Sequence, residues 1–329
     1  MRKIAFLLSL TILLPLLAGC GEGGSAPLPA ISGKAGEIIV VASKAQWESE
    51  VGNRIRGALA SEYEYLPQKE PLFNLANVPE ASVNKLIKVH RNMLYLKVGE
   101  GQKAGMQVRN DVFASPQTVV LVTAPSDDEA AAFIKANADA LVEAFEKAER
   151  DRLISNAKLY EEVKLRDMLN AKFGGSPCFP NGYSLKKQTP DFVWISYETS
   201  YTIQGIFVYT YPYENDSQLT AENLVRKRNE FVKENVPATS EGSYMITNPT
   251  IVPGFREVEY NGIKRAEVRS LWDTYGDFMG GPFVSHAFRS QDGKNIIVIE
   301  GFVYAPKYNK RNYLRQVESI ICSFEWKSR

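Results

Sequence analysis

Between Pro125 and Gly174 the chain runs 48 residues without a glycine or a proline, and no other interval of comparable length escapes both. Those two residues are the ones that stop helices, so this interval must be helical through most of its length. Ser126 stands where an N-cap is needed, with Glu129 three residues on and Asp127 and Asp128 at the positive end of the dipole. Phe133, Ile134, Leu141, Val142 and Phe145 keep helical spacing. Arg150-Asp151-Arg152 then interrupts the apolar face before Val163, Leu165, Met168 and Leu169 resume it. One long or kinked helix, or two helices, is expected. The heptad fails at the charged interruption, which favours packing on the chain's own sheet over a coiled-coil partner.

Around this segment the pattern is extended. Glu37-Ile-Ile-Val-Val-Ala42 is a β-branched run of strand length that feeds an amphipathic helix marked by Trp47, Val51, Ile55 and Leu59. Further extended stretches are expected around Lys85–Val98 and Thr118–Thr123, with the proline-bracketed Leu66–Phe73 as an ordered loop. Beyond residue 176 strands dominate: Asp191–Tyr197, Ile203–Tyr211, Arg265–Tyr275, Phe283–Arg289 and Asn295–Tyr304, punctuated by helices over Ala221–Glu234 and Lys310–Cys322. Phe207-Val-Tyr and Phe302-Val-Tyr both run a strand into proline and a polar helix start, about one small domain apart, a spacing that a duplication into two halves would produce. Adjacent strands beside only occasional helices predict an α+β fold of antiparallel sheet layers with a few packed helices and one long helical segment near the middle.

The first twenty residues read Met-Arg-Lys, an apolar run of about 14 residues from Ile4 to Leu17, then Ala18-Gly19-Cys20. The run is short of the ~20 residues that span a bilayer. Leu17-Ala18-Gly19-Cys20 resembles the bacterial lipoprotein box, which implies cleavage before Cys20 and acylation of its thiol. Two or three acyl chains anchor stably where one does so marginally. Gly21 rather than Asp at the next position implies the outer membrane, here read as facing the periplasm, with the cell surface as the alternative. The expected organisation is a signal over 1–19, a flexible Gly/Pro-rich tether over 20–36, an N-terminal α/β half over 37–175 and a strand-rich half over 176–329.

With 39 Lys+Arg against 38 Asp+Glu the net charge is +1, and loss of Arg2 and Lys3 with the signal turns it to −1. Such neutrality lacks the electrostatic footprint of a nucleic-acid binder. Three cysteines exclude a disulfide-rich mini-fold and a four-thiolate zinc site. Cys178 and Cys322 could pair in an oxidising compartment or remain buried thiols; sequence leaves both open.

Chemistry has few places to reside. His90 and His286 are the only histidines, and no short ligand spacing prearranges a metal, so no metal or cofactor is expected. Ser285 and His286 cannot form a dyad, since strand neighbours point to opposite faces. His90-Arg-Asn92 reads as a polar turn in which Asn tolerates positive φ. The turn Gly276–Phe283, carrying Asp277, Met279, Gly280 and Gly281 and flanked by Trp272 and His286, is the expected recognition loop. A hydrolase using His90 or His286 with Asp277 or Glu300 is the catalytic alternative.

Several blocks carry a family resemblance: Leu66-Pro-Gln-Lys-Glu-Pro-Leu-Phe73, His90-Arg-Asn92, Pro116-Gln117, Ala148-Glu-Arg150, Glu241-Gly-Ser-Tyr-Met245, Met279-Gly-Gly-Pro-Phe-Val-Ser-His286 and Glu300-Gly-Phe-Val-Tyr-Ala-Pro306. Across nearly all of the mature length the chain resembles the Bacteroidetes lipoprotein family catalogued as domain of unknown function 4837. The resemblance implies an envelope location and a lipid anchor and brings no catalytic residue. The expected function is therefore that of a non-enzymatic binding module, joined to the bilayer through Cys20 and to an envelope protein or cell-wall ligand through its folded body. A structural protein pairing through the long helix is the other alternative.

Overall fold

The computed structural model describes residues 27–327, so the expected signal and Cys20 lie outside the described residues. From β1 (Glu37–Val41) the chain passes through α1 (Lys44–Glu48) and α2 (Glu50–Leu59) into β2 (Asn74–Val78), then through one helical turn, α3 (Lys85–Lys88), into β3 (Asn92–Val98). With β4 (Gly105–Asn110) and β5 (Thr118–Ala124) these strands form a sheet in the order β2-β1-β3-β5-β4. β1 runs parallel to β2 and β3, and β3 parallel to β5; β4 alone is antiparallel, against β5. The fold is α+β, with this first sheet largely parallel. The cause lies in composition: parallel strands are buried on both faces and read as continuous apolar runs. Ile38 and Val40 face a core shared with α2, whereas Ile39 and Val41 face the smaller cluster around Met93 and Val119.

The helical interval divides into three, α4 (Asp127–Ala136), α5 (Ala138–Leu159) and α6 (Val163–Phe173), rather than one or two. Ser126 accepts from Glu129 N at 3.3 Å, capping α4. The breaks fall at Asn137 and at Tyr160–Glu162, and Gly174 closes α6 in the left-handed conformation (φ 75°). The charged Arg150–Arg152 stretch does not break α5, because its charges have partners. Glu149, 2% exposed, accepts from Arg91 Nη2 (2.8 Å) and Asn92 Nδ2 (2.7 Å), and Arg152 Nη2 donates to Asn92 Oδ1 (2.7 Å). α5 spends its apolar face inside the chain, with Leu141 and Phe145 in the first core.

After the short β6 (Gly175–Ser176) come β7 (Ser184–Gln188), β8 (Phe192–Glu198) and β9 (Ile203–Pro212), then α7 (Ala221–Asn235), β10 (Tyr244–Thr247), β11 (Gly254–Tyr260), β12 (Ile263–Tyr275), β13 (Gly280–Arg289) and β14 (Asn295–Tyr304). α8 (Arg311–Cys322) and β15 (Glu325–Trp326) finish the chain. β7 to β14 build an antiparallel sheet in the order β10-β12-β13-β14-β9-β8-β7, with β11 also on β12. The two Phe-Val-Tyr segments are thus neighbours in one sheet: β9 and β14 pair directly. Their helices go to opposite faces, α7 onto Phe207, Phe283 and Phe302, α8 onto Val208, Val284 and Ile299. They are therefore not equivalent positions of two duplicated halves.

α8 lies between this sheet and the first half. Glu70, from the proline-bracketed loop, accepts from Lys310 N (2.5 Å) and Arg311 N (3.1 Å), so a carboxylate from far upstream caps the helix. Arg315 Nη2 donates to Leu72 O (2.7 Å) and its guanidinium pairs with Glu146 of α5. The segment expected as tether through Gly36 is docked from Pro29 onward: Ser115 N donates to Pro29 O and Ser32 N to Val89 O. Among the described residues no helix is long and apolar enough to cross a membrane.

Candidate functional site

The four groups of the hydrolase alternative do not meet. His90 adjoins the first sheet, its Nδ1 3.1 Å from Asn92 O, and a Cβ on Gly33 would lie 2.2 Å from its Nε2, so the docked segment from Pro29 to Gly36, a strap across this end of the sheet, seals the ring. Asn92 is the first residue of β3 and fully buried; the expected positive-φ turn is absent there because its amide is tied to Glu149 and Glu37 O. His286 is buried in the second sheet on the α8 side, between Val284 and Phe288. Glu300, between Val298 and Phe302, points to the α7 side of that sheet, where Arg228 donates to it through Nε and Nη2 at 2.8–3.0 Å. Arg228 is completed by Thr247 Oγ1 (3.0 Å) and by the face of Phe283 (3.9 Å), so this pair fastens α7 to the sheet.

The expected recognition loop also separates. Trp272 is buried with Nε1 donating to Val303 O at 3.2 Å, and Gly281 is required because a Cβ there would stand 2.0 Å from the same carbonyl. Gly280 opens β13 opposite Asp273, and Met279 packs against the α7-side core. Asp277 accepts from Phe278 N at 2.7 Å at the hairpin tip, where Phe278 is fully exposed. His286 contributes nothing to that tip. Cys178 and Cys322 are both free and buried, so the pairing is not made. Burial pushes both thiols up to about 12; Cys178 faces Glu161, Cys322 faces Glu318.

What sequence reading missed is a cleft of about 630 Å³ where the two halves meet. The first half lines it with Ala58, Tyr63, Glu64, Asp139, Val142 and Arg150 from the α2 and α5 regions; the second contributes Arg256 and Tyr260 of β11, Arg269 of β12 and Glu318 of α8. Its floor is a charge chain. Glu267 Oε1 accepts from Nε of both Arg256 and Arg269 at 2.6 Å, and its Oε2 lies 3.0 Å from His286 Nε2. Arg269 also donates to Glu318, whose other oxygen accepts from Tyr63 Oη at 3.2 Å. Tyr260 stacks on His286 with 5.5 Å between ring centres, and the Arg150 guanidinium lies over the Tyr260 ring at 5.1 Å from its centre.

The electrostatics follow from that packing. Burial raises the Tyr63 phenol, and Glu318 beside it adds to the effect, so Tyr63 stays a donor. Burial pushes His286 below its ordinary value, only partly offset by Glu267. Its Nδ1 is buried without a partner, which fits a neutral ring donating from Nε2 to Glu267. Glu267 stays ionised despite burial because Arg269 and His286 outweigh it. Among the described residues Glu64 and Asp139 have no cationic or hydrogen-bonding partner, and Arg256 Nη1 and Nη2 and Arg269 Nη1 have no acceptor. The cleft therefore presents unpaired carboxylates from the first half and unpaired guanidinium N–H groups from the second. No cluster of three or more His, Cys, Asp or Glu among the described residues is placed to hold a metal.

Comparison with known proteins finds two family models, each over part of the chain. Residues 162–323 match the family model described as domain of unknown function DUF4837, and residues 31–158 match another domain of unknown function, DUF8532. The resemblance expected over nearly all of the mature chain is thereby narrowed to the second half: the blocks at Leu66–Phe73, His90–Asn92, Pro116–Gln117 and Ala148–Arg150 fall in the DUF8532 region. No curated protein matches the chain. A crystal structure from Bacteroides thetaiotaomicron VPI-5482 aligns at 11% identity and a TM-score of 0.27, covering 47% of this chain; the chain spans about half, 46%, of that one. Over residues 162–323 the chain matches the DUF4837 family.

Proposed function

We propose that this chain is a non-enzymatic binding module of the cell envelope, acylated at Cys20, held at the outer membrane facing the periplasm, and taking a small ligand of both charges, a short peptide, in the cleft between its halves. The lipoprotein-box residues Leu17–Cys20 and the short apolar run before them support the anchor. The observation that carries the ligand reading is the division of unpaired charge: Glu64 and Asp139 on one wall match an ammonium, Arg256 and Arg269 on the other match a carboxylate. Tyr63 and Tyr260 supply the rigid aromatic edges that fix a ligand's orientation.

Two measurements test this. Mass spectrometry of the native protein should find a chain beginning at a diacylglyceryl-modified Cys20; an unmodified thiol behind an intact leader refutes the anchor. Native mass spectrometry against a digest of cell-wall peptides should retain zwitterionic peptides on the wild type. Arg256→Gln combined with Asp139→Asn should weaken retention at least about tenfold, the loss of one charge-assisted contact at each end. A wild type that retains no peptide refutes the ligand reading.

A further inference from the structure

The first described residues are stitched to the body along the edge formed by the N-terminal ends of β3 and β5. Ser115 N donates to Pro29 O (2.9 Å), Ser32 N to Val89 O (2.8 Å) and Arg91 N to Ser32 O (3.0 Å), so the strap enters beside the end of α3. Six residues, Gly21–Ala26, lie between Cys20 and Pro27, a span of seven Cα–Cα steps. That length reaches at most about 25 Å when fully extended. An acylated Cys20 therefore keeps this edge within about 25 Å of the lipid headgroups.

The edge is built for such a neighbour. Asn84 Oδ1 accepts from Leu86 N (2.9 Å) and Ile87 N (3.1 Å) and so fixes the α3 turn. Ile87 and Val83 pack inward, which leaves Leu86 pointing outward, 80% exposed, between Lys85 and Lys88. Gln117 Nε2 donates to Lys88 O (2.6 Å) and His90 O (2.8 Å), locking the turn to the β5 side. Leu28, immediately before the strap, is 44% exposed. A leucine held out rigidly between two lysines enters the boundary between headgroups and acyl chains while the ammonium groups reach phosphates. Asp111, an acidic group of the adjoining loop, is occupied by Gln117 N (2.9 Å).

We propose that the α3 turn, with Leu86 inserted and Lys85 and Lys88 on phosphate headgroups, is a membrane-facing surface that sets the orientation of the body on its anchor. The proposal rests on acylation of Cys20 and goes beyond it, since a tether alone leaves orientation free. On this geometry α7 and the Val252 loop, across the second sheet from α8 and the first half, face away from the bilayer.

The test uses the full acylated chain carrying Leu86→Cys or, as control, Val252→Cys, each labelled with a polarity-sensitive fluorophore; Cys178 and Cys322 are buried and Cys20 is blocked by its acyl group. The protein is reconstituted into vesicles of phosphatidylethanolamine with phosphatidylglycerol. The expected result is a blue shift and about fivefold less iodide quenching at position 86 than at position 252, as for a side chain within the interfacial layer. Adding Lys85→Glu and Lys88→Glu should restore quenching at 86 while flotation with the vesicles persists. Equal quenching at both positions in protein that floats overturns the orientation and leaves the anchor standing. Protein that does not float overturns the anchor, and the orientation with it.

Discussion

Arg228 with Glu300 and Arg269 with Glu267 and Glu318 are the same chemistry on opposite faces of one sheet, and they differ in what lies beyond them. Beneath α7 every Arg228 nitrogen has a partner and the pair is sealed by Phe283 and Met245. Beneath the junction of the halves, Arg269 shares its carboxylates with Arg256, His286 and Tyr63 and keeps one nitrogen free at the cleft. A buried ion pair whose valences are all filled is a fastener. One with a valence left over, opening into a cavity, is the start of a recognition site.

The sharpest way to break this contrast is Glu300→Ala, which strands Arg228 in the core with no path to water. Urea unfolding should show a loss of about 3–5 kcal/mol, the range for removing one partner of a buried pair. Glu318→Ala removes an equivalent partner from Arg269, but the cleft admits water to the guanidinium, so about 1–3 kcal/mol is expected in the same assay. Equal losses would show that the two systems are sealed alike.

His286 sharpens the contrast through pH. The unfolded chain takes up a proton near pH ~6.5 that the buried ring resists, so stability is intact above that value and falls as pH drops below it. The slope is at most about 1.4 kcal/mol per pH unit for one proton. Glu267 acts in a separate window: its folded-state value is depressed, so its contribution is lost only as pH falls below the ordinary carboxylate range, ~4.3. Unfolding of His286→Gln should lack the first decline and keep the second. The smallest effect belongs to the rim: Glu64→Gln with Asp139→Asn should change stability by less than about 0.5 kcal/mol, whatever it does to ligand retention.

Much of the second half was readable from sequence because its central strands, β8, β9, β12, β13 and β14, carry long apolar runs between clear turn residues. Edge strands were not. Asn74–Val78, Gly105–Asn110 and Ser184–Gln188 are polar and largely exposed, so nothing in them alternates strongly enough to register. The parallel order of the first sheet has its only local trace in the continuous Ile-Ile-Val-Val run of β1. The cleft was hidden for a different reason, since Tyr63, Asp139, Arg256 and Glu318 are brought together only by the tertiary fold. One local signal did exist: Arg265, Glu267 and Arg269 alternate along β12, placing three charges on one inward face of a central strand. Charges there require partners, and partners imply a junction.

The carboxylate of Glu70 completes the first turn of a helix that begins 240 residues later. A chain that emerges amino end first therefore carries the Glu70 carboxylate without its donors until α8 arrives. Loss of the Glu70 loop would leave the first N–H groups of α8 without an acceptor, and loss of α8 would leave the Glu70 carboxylate without its donors.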